Sequence, residues 1–287
     1  MHVSGCMMID ANILGIIAVA KNTAIRYSGG CAMDPEAIHS REYTIGYSDI
    51  DFLRKLKCST LFGYFQDTAS EAVQKLGAGV ETLAEKYSAA WVLTRIRVEF
   101  ERIPEINEKV TVDTWPHPPG KIELDRDFKV RDANGDVIIR AASKWVIIDI
   151  RTREIIKSGL IGMNYPPFIE EHALDCRLGK LKPYGQPELV YKKVVGYSDV
   201  DINGHINNSK YIDYIMDCFT VESHRLYTMS SIEVNYIKEA FPGDTLQLYR
   251  EIPADGSGYV YIEGVNEGDG KPSFKARIKV VPRQGTV

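Results

Sequence analysis

The fold of this chain is decided by a phrase that occurs twice, at residues 46–51 (GYSDID) and at residues 196–201 (GYSDVD). Only the second copy continues into INGHINN at residues 202–208. After each copy, apolar residues recur at helical spacing, which predicts one helix over residues 59–76 and another over residues 208–223. Internal similarity of this kind indicates that a structural unit has been duplicated within the chain.

Each predicted helix is followed by the alternation of apolar and polar residues that is typical of β-strands. Residues 91–102 and 231–238 share the pattern Ile-x-Val-x-aromatic, and later strands are predicted at 109–115, 128–132, 137–149, 245–249, 259–265 and 273–281. Asn134-Gly135 lies between two of these strands and predicts a β-hairpin with a type I′ turn. Each half of the chain is therefore a strand, a long helix and then several antiparallel strands.

Duplication of this unit predicts an α+β protein with a tandem, or double, hot-dog fold, in which two long helices are each wrapped by a curved antiparallel sheet. The two sheets should join edge to edge, as they would in a dimer of single-domain subunits. We expect four segments: a poorly ordered N-terminal extension at 1–40, a first hot-dog domain at 41–156, a linker at 157–190 and a second hot-dog domain at 191–287. Prolines and weak periodicity mark the linker.

Composition narrows the class of partner. A net charge of −4 gives no overall attraction to nucleic acid or to an anionic membrane. Residues 7–20 are apolar, but no basic region precedes them, and the run is shorter than the roughly 20 residues that span a bilayer. Five scattered cysteines fit no disulfide framework and six histidines show no ligand spacing, so no metal or other cofactor is expected. We expect a cytoplasmic protein without a membrane span.

The second copy of the repeated phrase leads into a cluster of polar residues. In an extended segment, Asp201, Asn203 and His205 would point to one side, and Ile202 and Ile206 would face the core. An asparagine at position 207 or 208 would cap the next helix and place the cluster at its N-terminus, where backbone N–H groups can bind an oxyanion. These residue types are also ordinary in turns and caps, so a purely structural loop is the alternative interpretation.

Comparison of the two copies separates architecture from chemistry. The aspartate occurs in both, so we interpret it as architectural. The first copy has Leu53 and Lys55 where the second has Asn203 and His205. The asparagine and the histidine are therefore additional polar groups that the fold itself does not require, which favours a chemical role for them.

At this point the residues resemble a known family, the plant and bacterial acyl-acyl carrier protein (acyl-ACP) thioesterases. The family motif Asp-x-Asn-x-His-x-Asn-Asn, followed by a helix with Lys-Tyr-Ile, corresponds here to residues 201–208 and 210–212. The first half resembles the same family at 110–115 (VTVDTW), 126–132 (RDFKVRD), 140–146 (RAASKWV) and 151–153 (RTR). The resemblance covers roughly residues 40–285 and depends on several dispersed motifs.

The resemblance implies one more catalytic position after the second helix, where plant members carry an adjacent Glu-Cys pair. This chain has Glu239-Ala240, so the cysteine that a thiolate mechanism requires is absent. The family then implies hydrolysis by an activated water, with Asp201, Asn203, His205 and Glu239 as the catalytic residues. The sequence leaves open whether His205 or Glu239 takes the proton. Without the family, Glu239 would be interpreted as an exposed acid near the end of a strand.

By the same resemblance, the expected substrate is a fatty acyl thioester of acyl carrier protein, the expected partner is that carrier, and the first domain would bind the acyl chain. Rival functions are an acyl-CoA thioesterase of the same fold, a non-catalytic acyl-thioester sensor and a hot-dog dehydratase. Association into a homodimer and the acyl chain length are left open. Basic residues that are candidates for docking an acidic carrier are Lys121, Arg126, Lys129, Arg131, Arg151 and Arg153. Runs of charge are usually solvated faces, so this role is assigned to none of them.

Overall fold

A computed structural model describes residues 37–183 and 185–283 of the 287-residue chain. The predicted N-terminal extension therefore lies outside the described residues, apart from its last four positions. Within the described part, no helix is both long and apolar enough to cross a bilayer.

The chain forms two lobes that repeat the same order of elements. The first lobe contains β1 (His39–Thr44), α1 (Cys58–Lys75), α2 (Val80–Tyr87), β2 (Ala89–Phe100), β3 (Lys109–Pro116), β4 (Leu124–Arg131), β5 (Val137–Asp149) and β6 (Ile155–Ile156). The second lobe contains β7 (Glu188–Val194), α3 (Asn208–Asp217), α4 (Val221–Leu226), β8 (Tyr227–Tyr236), β9 (Thr245–Glu251), β10 (Tyr259–Asn266) and β11 (Pro272–Pro282). Two of these boundaries differ from the expected segments, because β1 begins within the predicted extension and β7 begins within the predicted linker.

All of these strands belong to one antiparallel sheet in the order β1-β3-β4-β5-β2-β8-β11-β10-β9-β7, with β6 paired to β5. The two lobes meet where β2 pairs with β8, a register in which Val98 lies opposite Ile232. Both side chains are fully buried. The edge-to-edge joining of two hot-dog sheets, as the duplicated sequence predicts, is confirmed.

The two long helices pack against each other and against the sheet. Leu61 and Phe65 of α1 and Ile212 of α3 belong to a single apolar cluster that runs through both lobes. Full burial of a side chain of this size contributes about 1.5–3 kcal/mol. The lobes therefore share one core, and a defect in one of them should be felt in the other.

The helix of the second lobe is shorter than its apolar spacing predicts. The prediction covers residues 208–223, but α3 ends at Asp217 and a second helix, α4, begins at Val221. Thr220 caps α4, since its Oγ1 accepts a hydrogen bond from the Ser223 N–H at 3.1 Å. A threonine cap favours the start of a new helix at this point, although the apolar residues continue with helical spacing up to Phe219.

The β4–β5 hairpin is present, but its turn is not the predicted type I′. Such a turn requires positive φ at both central residues. In this loop Gly135 has a φ of 88° and Asn134 is not among the residues with positive φ. The Gly135 N–H bonds to the carbonyl of Asp132 at 3.0 Å, and the Asp132 N–H bonds to the carbonyl of Asp136 at 3.0 Å. A longer loop with one left-handed glycine therefore replaces the two-residue turn.

The connection between the lobes, as described at 157–183 and 185–187, has little regular structure but contacts both lobes at several points. Ile161, Leu174 and Leu178 are buried. The indole Nε1 of Trp115 donates to the carbonyl of Glu171 at 3.0 Å. The N–H of Leu181 donates to the side chain of Asn235 at 2.9 Å. This segment is anchored to strands of both lobes.

Candidate active site

The repeated phrase folds into the same loop in both lobes. Asp49 and Asp199 each accept a hydrogen bond from the backbone N–H of the glycine three residues earlier, at 2.8 Å in both cases. Each loop then closes through an isolated β-bridge, Ile50 with Leu56 and Val200 with Ile206. The shared letters of the two phrases thus specify a shared backbone shape.

Residues 201–205 form a tight turn, so the prediction of an extended segment is wrong. The Asp201 N–H donates to the carbonyl of His205 at 3.0 Å, and Gly204 adopts a φ of 79° that favours glycine. Ile202 is 93% exposed, which contradicts its predicted place in the core, whereas Ile206 is buried as predicted. The turn closes because the Asp201 carboxylate accepts the Asn203 N–H at 2.8 Å.

This turn brings the imidazole of His205 between two carboxylates. Its Nδ1 lies 3.8 Å from Oδ1 of Asp201, and its Nε2 lies 3.4 Å from Oε1 of Glu239. Glu239 follows β8 and is the neighbour of Ala240, whose N–H bonds to the buried Tyr211 hydroxyl at 3.2 Å. The three side chains are 15–29% exposed, so the cluster is accessible from solvent while its members are partly desolvated.

Asn203 belongs to the same cluster but lies further out. Its side-chain Nδ2 donates to Oδ2 of Asp201 at 3.3 Å, and the residue is exposed. Asp201, Asn203, His205 and Glu239 are therefore neighbours in space. Their catalytic roles stay a prediction.

The cluster lies next to the N-terminus of α3. Asn207 is the N-cap, as one of the two predicted possibilities, and its Oδ1 accepts the Ser209 N–H at 2.8 Å. The Lys210 N–H bonds to the carbonyl of Asn207 at 2.9 Å. Among the described residues, no group accepts the N–H of Asn208, which leaves that amide available to an incoming oxygen.

Two residues of the neighbourhood have no assigned role in the sequence interpretation. Arg153, from the turn between β5 and β6, forms an ion pair with Oε1 of Glu239. The ring of Phe241 meets the His205 ring edge-on, with centroids 6.4 Å apart and an angle of 84°. In the sequence, Arg153 is part of the RTR motif and one of the basic residues that could dock the carrier, and neither observation predicts its contact with Glu239.

The equivalent loop of the first lobe has the same shape but lacks the histidine and the glutamate of the second lobe. Asp51 accepts the N–H groups of Leu53 and Lys55 at 2.8 and 3.0 Å. The first of these bonds corresponds to the one from the Asn203 N–H to Asp201. Lys55, at the position of His205, forms an ion pair with Glu105. The position that matches Glu239 is Ile103, which cannot titrate.

The described cysteines are poor nucleophiles. Burial raises the pKa of Cys58 and of Cys176, and it raises the pKa of Cys218 to about 12. A thiol with a raised pKa is protonated near neutral pH and does not supply the reactive thiolate. Cys218 also lies at the C-cap of α3, at the opposite end of the helix from His205.

A second polar cluster, remote in sequence from the first, joins His117, Asp127 and His172. Their ligand-type atoms lie within 4.8 Å of one another. Nε2 of His117 is 3.0 Å from Oδ2 of Asp127 but is not aligned for a hydrogen bond, and Nδ1 of His172 is 3.8 Å from the same oxygen. Histidine spacing in the sequence does not predict this cluster, because residues 117 and 172 lie in different elements.

The geometry of this second cluster does not suit one metal ion. The two imidazole rings are stacked, with centroids 4.3 Å apart and an angle of 17° between them. Each nitrogen lone pair lies in its own ring plane, so a single ion cannot bond to both rings in this arrangement. The Asp127 carboxylate instead accepts the N–H of Ala173 at 2.7 Å and fastens the connecting segment to β4.

Fold and site together define a double hot-dog protein that carries an Asp–His–Glu cluster beside a helix N-terminus in its second lobe. Residues 36–158 match the family model described as Acyl-ACP thioesterase N-terminal domain, and residues 188–280 match the Acyl-ACP thioesterase C-terminal domain. The chain belongs to the acyl-ACP thioesterase family.

Curated relatives agree with this assignment. A palmitoyl-acyl carrier protein thioesterase, chloroplastic, of Cuphea hookeriana is 26% identical over 274 residues, which cover 90% of this chain and 66% of the relative. The Arabidopsis thaliana protein of the same name is 31% identical over 221 residues, which cover 72% of this chain and 52% of the relative. The chain thus spans about half to two thirds of the length of these relatives.

Solved structures show the same architecture. An acyl-ACP thioesterase from Bacteroides thetaiotaomicron superposes with a TM-score of 0.77 and 26% identity, covering 85% of this chain and 98% of the other. A 12:0-ACP thioesterase from Umbellularia californica superposes with a TM-score of 0.75 and 21% identity, covering 90% of this chain and all of the other. At 21% identity, the comparison with the Umbellularia californica protein shows that the fold is shared and nothing more.

Proposed function

We propose that this protein hydrolyses fatty acyl-ACP thioesters to free fatty acid and holo-ACP, a reaction of fatty acid biosynthesis. The observation that carries the proposal is the position of the His205 imidazole between Asp201 and Glu239, beside the N-terminus of α3. Family membership and the names of the relatives support the choice of an acyl-ACP substrate.

In the proposed reaction, Glu239 is the general base and water is the nucleophile. As the water oxygen bonds to the thioester carbon, one of its protons passes to Glu239. His205 and Asp201 orient this water, and Asn203 binds the thioester or the water by a hydrogen bond. The choice of water is supported by the raised pKa of the described thiols and by Ala240 at the position where plant members carry cysteine.

The oxygen of the thioester becomes an oxyanion that the N–H of Asn208 stabilises. A donor of this kind contributes about 2.7–4 kcal/mol to the transition state. Return of the carbonyl breaks the carbon–sulfur bond, and the departing carrier thiolate takes the proton from Glu239. The fatty acid and the free thiol then contain all the atoms of water and thioester.

The first lobe is proposed to bind the acyl chain. Leu61 of α1, Phe100 of β2 and Ile103, which follows β2, line a cavity together with Met216 and Met229 of the second lobe. The charged residues Asp51 and Arg283 also line it. None of the four proposed catalytic residues lines this cavity, so it would hold the distal part of a chain. Exchanging Leu61 for tryptophan should then shorten the fatty acids released, measured by chromatography of the products.

The carrier protein is the proposed partner, and its acidic surface calls for exposed cations. Lys121 and Arg151 are exposed and remain candidates for docking it. Arg126 is only 6% exposed and is therefore excluded from a docking surface.

A reducing, cytoplasmic location is proposed because the described cysteines are free thiols. The plant relatives, in contrast, are named as chloroplastic.

The deciding experiment is hydrolysis of a panel of acyl-ACP and acyl-CoA thioesters of equal chain length by the purified full-length protein. We expect the acyl-ACP substrates to have the higher kcat/KM. Glu239→Ala and His205→Ala should each lower kcat by about 10²–10⁴-fold, the usual worth of a general acid or base, with little change in Tm. Lys55→Ala, at the position in the first lobe that matches His205, is the control and should keep full activity.

The outcomes separate the rival functions. A preference for acyl-CoA would identify a CoA thioesterase of the same fold. Tight binding of acyl thioesters without hydrolysis would identify a sensor. Full activity in Glu239→Ala would contradict the proposed mechanism while leaving the substrate assignment intact.

A further inference from the structure

The second-lobe site receives one charged side chain from the first lobe. Arg153 lies in the turn that joins β5 to β6, and its Nη2 forms an ion pair with Oε1 of Glu239. The contact follows from the sheet order, because β5 pairs with β2 and β2 pairs with β8, the strand that ends just before Glu239. The pairing of the two lobes therefore brings this turn to the proposed active site.

The turn that carries Arg153 is held in one shape. Oδ1 of Asp149 accepts the N–H groups of Arg151 and Thr152, both at 2.8 Å. The Arg153 N–H bonds to the carbonyl of Asp149 at 2.9 Å, and the Asp149 N–H bonds to the carbonyl of Glu154 at 2.9 Å. Arg153 itself has a φ of 64°, a left-handed conformation that is unfavourable for residues other than glycine.

The closest ion-pair contacts of Glu239 are made by one of its two carboxylate oxygens. Oε1 contacts both Arg153 and Nε2 of His205, the latter at 3.4 Å. No described residue donates a hydrogen bond to Oε2. The side chain is 29% exposed, so Oε2 can face a water molecule.

We infer that Arg153 is a positioning residue for the proposed thioesterase reaction: from the first lobe it fixes Oε1 of Glu239, which turns Oε2 toward the reacting water. The inference depends on the proposed function, in which Glu239 is the base. The joining of the two sheets would then affect the reaction, because the orientation of a base in the second lobe depends on a turn of the first lobe. The matching position in the first lobe, Ile103, has no charge to orient.

A docking cation is the competing interpretation of Arg153, because its side chain is 50% exposed. The two roles affect different kinetic constants. Loss of a positioning contact lowers kcat, and a misplacement of about 1 Å can cost up to 10²-fold. Loss of a docking contact raises KM and weakens its dependence on salt.

The test compares Arg153→Gln with Arg153→Lys and with Arg54→Gln. Arg54 is an exposed arginine of the first-lobe turn that contains Asp51, and its φ of 65° is close to that of Arg153, so its variant has the same change in charge and is the matched control. We expect Arg153→Gln to lower kcat for acyl-ACP about 10–10²-fold at little changed KM. Arg153→Lys should regain part of the loss, added guanidinium should partly rescue Arg153→Gln, and Arg54→Gln should keep the kcat of the wild type.

A double variant tests whether Arg153 acts through Glu239. If it does, adding Arg153→Gln to Glu239→Gln should cause no further loss of kcat, because contacts that share one partner are not additive. A further tenfold loss would show that Arg153 touches the substrate instead and would overturn the inference, as would a change confined to KM.

A readout that does not require turnover separates this inference from the proposed function. The NMR signals of the His205 ring should shift in Arg153→Gln, since the neighbouring carboxylate is released, and should stay in place in Arg54→Gln. An inactive wild type with the expected shift would refute the thioesterase proposal but not the positioning contact. Unchanged His205 signals in Arg153→Gln would refute the positioning contact, whatever the activity.

Discussion

Asp51 and Asp201 close equivalent turns, each with an Oδ1 that accepts the N–H two residues further along the chain at 2.8 Å. Of the two, only Asp201 has an imidazole within ion-pair distance among the described residues. The carboxylate that both copies share is thus a structural part of the turn in each lobe. In the second lobe, the Asp201 carboxylate also lies beside the His205 ring, which contacts Glu239 on its other side.

We therefore expect Asp51→Ala and Asp201→Ala to have similar effects on stability and different effects on activity. Asp51→Ala loses the hydrogen bonds from two backbone N–H groups, and Asp201→Ala loses one from a backbone N–H and one from the Asn203 side chain. Each lost bond should lower the free energy of unfolding by about 0.5–1.5 kcal/mol. Only Asp201→Ala should reduce kcat. Urea unfolding and acyl-ACP hydrolysis measure the two quantities, and equal activity in the two variants would contradict a catalytic part for Asp201.

Single residues of the site differ in how far the sequence predicts them. Asn203 and His205 could be found because the first copy of the phrase lacks them. Arg153 could not, since its contact with Glu239 depends on the order of strands in the joined sheet. The exposure of Ile202 was also not predictable from alternation, because a left-handed Gly204 turns the chain back instead of letting it run as a strand.

Arg126 shows another limit at this scale, since a basic residue in a family motif is not necessarily at the surface. Its Nη1 donates to Oγ1 of Thr114 at 3.1 Å, and no carboxylate lies within ion-pair distance of it among the described residues. Burial lowers the pKa of Arg126 to about 10. A buried cation without a counter-ion costs free energy that an apolar side chain would not.

Arg126→Met should therefore leave the free energy of unfolding unchanged or raise it, by up to about 4 kcal/mol. The folded protein holds the Arg126 proton less tightly than the unfolded chain, whose arginine pKa is about 12.5. Wild-type stability should accordingly gain from this group as the pH rises above about 10, and the methionine variant should lack that gain. Urea unfolding at neutral pH and above pH 10 measures the difference, and a large loss of stability in the variant at pH 7 would refute it.

At the scale of elements, periodicity predicts the strands and α1 within a few residues but misses local interruptions. α1 begins one residue before its predicted start and ends one residue before its predicted end. The break between α3 and α4 was missed because apolar spacing runs through Phe219, whereas the Thr220 cap is a feature of a single side chain. The connecting segment has no period, so its attachment to the sheet could not be predicted.

The attachment of the connecting segment through Asp127 can be tested directly. In Asp127→Ala, the buried His117 ring loses its neighbouring carboxylate and the Ala173 N–H loses its acceptor. Leaving such a buried group unpaired costs about 1–3 kcal/mol, so the free energy of unfolding should fall by at least that amount. Urea unfolding measures this loss of stability.

The stacked rings of His117 and His172 predict that Zn²⁺ does not change the Tm of the wild type. A rise in Tm that Asp127→Ala abolishes would instead make this cluster a metal site.

For the whole molecule, the duplicated phrase predicts the architecture because a single hot-dog unit would leave one edge of its long strand β2 unpaired. β2 is 12 residues long, and an exposed edge of that length would attract other chains. Pairing of Arg95 to Glu99 with β8 covers part of this edge, and both cores form one apolar cluster. The boundaries of the lobes and residues 1–36 do not follow from this principle, because they depend on no repeated pattern.

A shared core predicts that the lobes unfold together. The three tryptophans, Trp91, Trp115 and Trp145, all lie in the first lobe, so their fluorescence reports that lobe, whereas circular dichroism reports both. Ile212→Ala removes a fully buried side chain from α3 in the second lobe and should cost about 2–5 kcal/mol. We expect the urea midpoint to fall by the same amount in fluorescence and in circular dichroism.

Leu61→Ala is the matched control, because Leu61 is a buried residue of α1 in the lobe that contains the tryptophans. If the lobes form one cooperative unit, both variants should give a single transition in which the two signals coincide. If the lobes were independent, Ile212→Ala would shift only part of the circular dichroism signal and leave the fluorescence midpoint unchanged. Only a cooperative unit allows a first-lobe turn such as that of Arg153 to keep a fixed position against the second-lobe site.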